Sequence, residues 1–95
     1  MRIRGRTDAN QKAIVAALRQ IGCSVVVTSQ LGNGFPDLVV GRNGHNLFLE
    51  CKDGNKPPSG RMLTTEEIAF KNAWRGQLWT VFSLEEAVNY VLRNT

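Results

Sequence analysis

Apolar side chains recur at Ile14, Ala17, Leu18 and Ile21 within residues 8 to 21, on one face of an amphipathic helix. Gly22 follows and supplies the stop. The pattern then changes period. SVVVTS, 24 to 29, is short and β-branched, as in a strand. QLGNGF, 30 to 35, is a loop in which Gly32 and Gly34 allow a backbone to approach closely. DLVVG, 37 to 41, and NLFLECK, 46 to 52, read as strands joined through residues 42 to 45, where Asn43-Gly44 is a favoured hairpin turn. A polar loop, 53 to 63, precedes a second helix. Thr64 and Glu67 form a capping box at its start, Ile68, Phe70, Ala73 and Trp74 mark its inner face, and Gly76 ends it. QLWTVF, 77 to 82, is a short strand. Ser83 and Glu86 form a second capping box. The last helix then runs to about Leu92, with Ala87, Val88, Val91 and Leu92 inward.

The order α-β-β-β-α-β-α predicts an α/β fold with a central mixed sheet flanked by helices. The chain has 95 residues, enough for one domain, 1–95, with residues 1–7 as a basic N-terminal arm. A domain of this size has little stability to spare, so a buried charge needs compensation. No apolar run approaches the length of a membrane span. MRIRGRTDANQK is basic but lacks the apolar segment of a secretory signal. Cys23 and Cys51 match no zinc spacing and no disulfide framework. They are expected as reduced, buried thiols, with the protein in the cytoplasm of a bacterial or phage-infected cell. His45, the single histidine, adjoins the turn and is expected in solvent.

Net charge is +4, which favours a polyanionic partner through counterion release. Arg2, Arg4 and Arg6 form a basic arm suited to following a phosphate backbone, or a solubilising tail. Lys56 and Arg61 lie in the loop after the 46–52 strand and are the stronger candidates for phosphate contact. Ser29 and Gln30, at a strand end, are placed either to touch the scissile region or to cap the loop. Trp74 and Trp79 are read as core or dimer-interface residues.

Three charges stand at the edge of the hairpin. Side chains alternate along a strand, so Phe48, Glu50 and Lys52 share a face, while Leu47, Leu49 and Cys51 line the other. With residue 41 opposite 46, Asp37 falls opposite Glu50, and cross-strand neighbours lie about 5 Å apart. Two carboxylates so close raise each other's pKa unless a cation joins them. Hard oxygen donors with room for water suit Mg²⁺. Lys52 beside them is placed to orient or deprotonate a water, or to neutralise charge on a phosphorane. A plainer reading makes Glu50–Lys52 a strand-face ion pair worth about 0–1 kcal/mol and Asp37 a loop cap. The apolar setting of Leu38, Val39, Val40, Leu47, Phe48 and Leu49 weighs against it.

Pro36-Asp37, twelve residues, then Glu50-Cys51-Lys52 resembles the PD-(D/E)xK nuclease motif, and the element order resembles that superfamily's restriction-endonuclease-like core. VVVTSQLGNGFPDLVVGRNG, FLECKDG and LTTEEIAF are similar to the virus-type replication-repair nuclease (VRR-NUC) group, from about Asp8 to Ala87. The resemblance implies Mg²⁺- or Mn²⁺-dependent phosphodiester cleavage. Asp37, Glu50 and the Cys51 main-chain carbonyl are the implied metal ligands, and Lys52 assists the water. Small stand-alone members resemble archaeal Holliday junction resolvases, which implies branched DNA as substrate and a homodimer, since symmetric cutting takes two dyad-related sites. The second helix and the Leu78–Phe82 strand are candidates for that interface. The family also carries an acid on its first helix. Gln11 falls nearest that position and Asp8 is the nearest acid; Asp8 is equally suited to cap the helix with Gln11 as partner. A non-catalytic nucleic-acid-binding module and a restriction-type or RNA-directed nuclease are the alternatives.

Overall fold

The structure, a computed structural model, describes residues 9–95. The basic arm with Arg2, Arg4 and Arg6, and the candidate acid Asp8, lie outside the described residues. Helix α1 spans Ala9–Gln20 and buries Gln11, Ile14, Val15 and Leu18. It ends as the sequence predicts. Gly22 takes φ 95°, its N–H donates to the Arg19 carbonyl, and Cys23 N–H donates to the Leu18 carbonyl, both at 3.0 Å. These are the paired bonds of a Schellman stop.

Four strands follow: β1 Ser24–Val27, β2 Leu38–Arg42, β3 His45–Cys51 and β4 Leu78–Val81. They form one sheet in the order β1-β2-β3-β4. The first three are antiparallel, and β4 joins β3 in parallel. Gly41 pairs with Asn46 and Arg42 with His45, leaving a two-residue turn. Asn43 and Gly44 there have φ 52° and 79°, the left-handed pair that matches strand twist. A parallel partner needs a crossover. Helix α2, Pro58–Arg61, and helix α3, Thr65–Ala73, supply it. Helix α4, Leu84–Asn94, closes the described chain.

The two sheet faces are covered differently. Leu38, Val40, Leu47, Leu49 and Val81 meet Ile14 and Leu18 of α1 and Ala87 and Val91 of α4, all essentially inaccessible. The other face is aromatic. Phe48 lies 5.2 Å from Phe35 and 4.8 Å from Trp74, ring centre to ring centre, and Phe70 is 5.3 Å from Phe35. Helix α3 rests on this layer.

Several expectations shift. The first strand stops at Val27 rather than Ser29, because the Thr28 hydroxyl turns to donate to the Pro36 carbonyl at 2.7 Å. Helix α2 arises inside the expected polar loop. Helix α3 ends with Trp74 as its cap, two residues before Gly76. Ile68 and Ala73 are exposed, and α3 buries no residue fully. Large rings fill the layer beneath it through the Phe70–Trp74 line, and Ile68 sits about 200° around the helix from Phe70. Leu92 is likewise exposed, one residue off the Ala87–Val91 line that α4 buries. The second capping box is half formed: Ser83 Oγ accepts from Glu86 N–H, but Glu86 Oε1 accepts from Phe82 N–H instead of Ser83. Trp74 and Trp79 are both about half exposed, stacked on Phe70 and Tyr90. Among the described residues, no helix is long and apolar enough to cross a membrane.

Candidate active site

The hairpin turn fixes the site. Because Leu38 pairs with Leu49, the next residues out, Asp37 and Glu50, come level on the face that carries α3. Asp37 sits one residue before β2 and is held by a bond from the facing strand: Cys51 N–H donates to its Oδ2 at 2.8 Å. The two groups of one strand residue address the same neighbour, so the Cys51 carbonyl also points to the Asp37 side. Glu50 is 5% exposed and hydrogen-bonds the side chains of Asp37 and Glu67. Lys52 follows the last residue of β3. Its ammonium lies 3.8 Å from Glu50 Oε2 and 2.9 Å from Glu67 Oε1. The strand-face ion pair of the plainer reading therefore exists, but as one edge of a buried cluster.

Burial is the first cause of the site's electrostatics. It raises the Asp37 carboxyl, only partly opposed by the Cys51 N–H bond and the Glu50 contact. Burial, then the Asp37 charge, then Glu67 push Glu50 up to about 10. Burial works against the Lys52 ammonium, yet Glu67, Glu50 and Asp37 together hold its pKa above the ordinary lysine value. Burial also works against Glu67. Bonds from Glu50, the Thr64 N–H and Lys52 outweigh it and hold that carboxylate low. The metal-free cluster is thus a protonated Glu50 between Asp37 and Glu67, with Lys52 as its cation.

A stability prediction follows. Folded Glu50 keeps a proton that the unfolded chain releases in the ordinary carboxylate range. Its contribution is complete below that range and shrinks as pH rises toward about 10. Glu67 acts oppositely, but only at acid pH, and Lys52 matters only near the lysine range. In EDTA, the urea midpoint is expected to fall between about pH 5.5 and pH 8.5. Glu50→Gln should flatten that slope; an unchanged slope would show that Glu50 titrates normally.

The other expected residues divide. Gln11 is 5% exposed, and its Nε2 lies 3.5 Å from Ser29 Oγ, so the start of α1 meets the loop that follows β1. The neighbouring Asn10 Nδ2 donates to the Lys52 carbonyl at 2.7 Å, which brings this end of α1 to the charged cluster. Gln30 and Lys56 are exposed. Arg61 is half-buried, and its Nε is buried without a partner. Glu67 is the residue that the sequence hid: its capping role, formed as predicted, already accounted for it. The structure gives the same carboxylate a second role against Lys52.

Among the described residues, no three acidic, histidine or cysteine side chains form a metal-holding group. The donors that do converge are two carboxylates and one main-chain carbonyl, all hard oxygens, the kind that Mg²⁺ and Mn²⁺ take alongside water. Two acids raised first by burial, Glu50 further by the Asp37 charge, are also a standing demand for positive charge. Beside them the Thr80 hydroxyl, register partner of Glu50, is buried without a partner. It helps line a cavity of about 10 Å³ with Glu50 and Glu67, close to the volume of one water centre. The donor chemistry fits a hydrated divalent cation.

The sequence matches no protein-family model and no curated protein. The fold is similar to a solved structure described as a VRR_NUC domain. The TM-score is 0.57 at 26% identity, covering 90% of this chain and 92% of that one. The Pro36-Asp37 and Glu50-Cys51-Lys52 segments converge on one sheet edge in a fold similar to that domain, and this likeness supports assigning the chain as a VRR-NUC domain.

Proposed function

We propose that this protein is a metal-dependent endodeoxyribonuclease that hydrolyses phosphodiester bonds in four-way or related branched DNA. One observation carries the reading: Asp37 and Glu50 share one buried corner of the sheet, with the Lys52 ammonium against them. Asp37, Glu50 and the Cys51 carbonyl would hold Mg²⁺ or Mn²⁺. When bound, such an ion lowers the pKa of a coordinated water and offsets charge on the scissile phosphate. The chain's own groups do the rest. Lys52 presents a cationic donor where anionic oxygen builds up. Asn10 anchors the Lys52 backbone, so the strand end that carries the ammonium stays in place. Lys56, in the turn after β3, and Arg61, at the end of α2, are the phosphate contacts of this reading, together with Ser29 and Gln30. The basic arm and Asp8 extend this proposal beyond the described residues.

A homodimer is part of the proposal, because two dyad-related cuts need two sites. Ile68 of α3, Trp74 at its cap and Trp79 of β4 are exposed on the elements expected to form that interface.

A second reading, a non-catalytic DNA-binding module, is favoured by Gln11, which brings no charge to the place where the family carries an acid. One assay separates the two. Four-way, flap and linear DNA are incubated with the full chain in Mg²⁺, Mn²⁺ or EDTA. Cleavage of branched DNA that EDTA abolishes is the expected result. Binding without cleavage in either metal would establish the module instead. Sequence-specific cuts in plain duplex would redirect the assignment to a restriction-type enzyme.

A further inference from the structure

Lys52 is held most closely by a residue outside the motif. Its 2.9 Å approach to Glu67 Oε1 is a charge-assisted hydrogen bond, whereas 3.8 Å to Glu50 is charge attraction without a hydrogen bond. Glu67 is itself fixed. Its Oε1 accepts Thr64 N–H at 2.8 Å, and its own N–H donates to Thr64 Oγ1 at 3.1 Å. One carboxylate oxygen thus serves the cap of α3 and the lysine together. The side chains of Lys52 and Glu67 are 16% and 17% exposed, so water competes little for the pair. A lysine without such a partner samples many rotamers.

We propose that Glu67 is a positioning residue, which holds the Lys52 ammonium beside Asp37 and Glu50 and ties its place to the N-terminus of α3. The inference rests on the nuclease reading for its catalytic consequence, but the contact can be tested without catalysis. Helix α3 is in turn seated on the 30–35 loop, where Gly34 packs against the Glu66 backbone. The position of the amine is therefore set by a capping box on a helix that contributes nothing to the PD and ECK segments.

Glutamine at 67 separates the two duties. A capping box accepts Gln as well as Glu, so Glu67→Gln keeps the cap and removes the charge that faces Lys52. The expected result is a chain that still folds cooperatively and still takes up Mn²⁺, with kcat reduced about 10- to 100-fold and KM for DNA little altered. The Lys52→Ala and Lys52→Ala/Glu67→Gln variants should cleave equally slowly, because the second change acts only through the first. In ¹⁵N NMR of the lysine ammonium groups, a protected Lys52 signal should be present in the wild-type chain and lost in Glu67→Gln. Wild-type kcat in Glu67→Gln, multiplying effects in the double variant, or a Lys52 signal unchanged by the substitution would each overturn the proposal. A wild-type chain that cuts no DNA, yet loses the ammonium signal on Glu67→Gln, would refute the nuclease reading and uphold the placement of Lys52.

Discussion

The Asp37→Asn variant is expected to lose cleavage by about 100- to 1,000-fold, the cost typical of removing one group that stabilises transition-state charge, and to remain folded. Asparagine has nearly the shape of aspartate, and its side-chain carbonyl can still accept the Cys51 N–H. The hairpin end therefore keeps its tie. What disappears is the charge proposed to hold a divalent cation, together with the repulsion that helps raise Glu50. Metal-free Asp37→Asn should consequently be as stable as wild type or more so, because a charge that burial disfavours is gone and no longer helps hold Glu50 protonated. Asp37→Ala should also be inactive, but it orphans the Cys51 N–H and is expected to cost about 1–3 kcal/mol of stability. The checks are cleavage of four-way DNA in Mn²⁺, a gel-shift assay in Ca²⁺ or EDTA, and urea unfolding of each variant. Intact DNA binding with lost cleavage supports Asp37 as a metal ligand. Cleavage by Asp37→Asn within about tenfold of wild type would remove it from the reaction, since that gap is too small for a lost charge-bearing ligand.

Gly34→Ala is the second large effect, and it acts on the fold. Gly34 has φ 81°, and a Cβ there would lie 2.2 Å from the Glu66 carbonyl oxygen and 2.5 Å from its carbon. Both obstacles are backbone, so α3 must move away. Left-handed strain and overpacking each cost about 1–3 kcal/mol, so the sum is expected at about 2–6 kcal/mol. That is a large share of a small domain's stability. Gly22→Ala is the internal control. Gly22 has φ 95°, yet nothing lies within 4 Å of its Cβ position. It bears strain alone and should cost about 1–3 kcal/mol. Thermal unfolding of both should show the larger fall for Gly34→Ala. Equal falls would mean that the approach to Glu66 is easily relieved.

The hairpin was legible in the sequence because its parts agree. Asn43-Gly44 sets a two-residue turn, the turn sets the register, and alternation then puts Asp37, Glu50 and Lys52 on one face. The glycine-rich loop was legible as a place of close backbone approach, and the backbone that arrives there is that of α3. Helix faces were read less well. Periodicity at Ile68 and Leu92 marks an apolar side chain, but not whether a layer reaches it. Aromatic rings hold the sheet side of α3 through Phe70 and Trp74, and α4 buries the Ala87–Val91 line. Glu67 was invisible for another reason. Its local role was complete, and only the crossover from β3 to β4 brings it to Lys52, fifteen positions away in the chain. A local signal that is fully explained conceals a tertiary one.

The parallel seating of β4 on β3 bears on how the molecule reaches this state. The β2–β3 hairpin closes over a two-residue turn, a short loop with a small entropic cost, so Asp37 and Glu50 can meet early during folding. Phe48 pairs with Leu78, and Cys51 with Val81, only after the intervening helices have formed and docked. The acids and the neighbouring Lys52 are thus assembled first, and the helical anchor of its ammonium, Glu67, arrives last. A newly made chain that pauses between these steps exposes an unpaired strand edge beside two crowded carboxyl groups, the form in which misassociation and proteolysis would be concentrated.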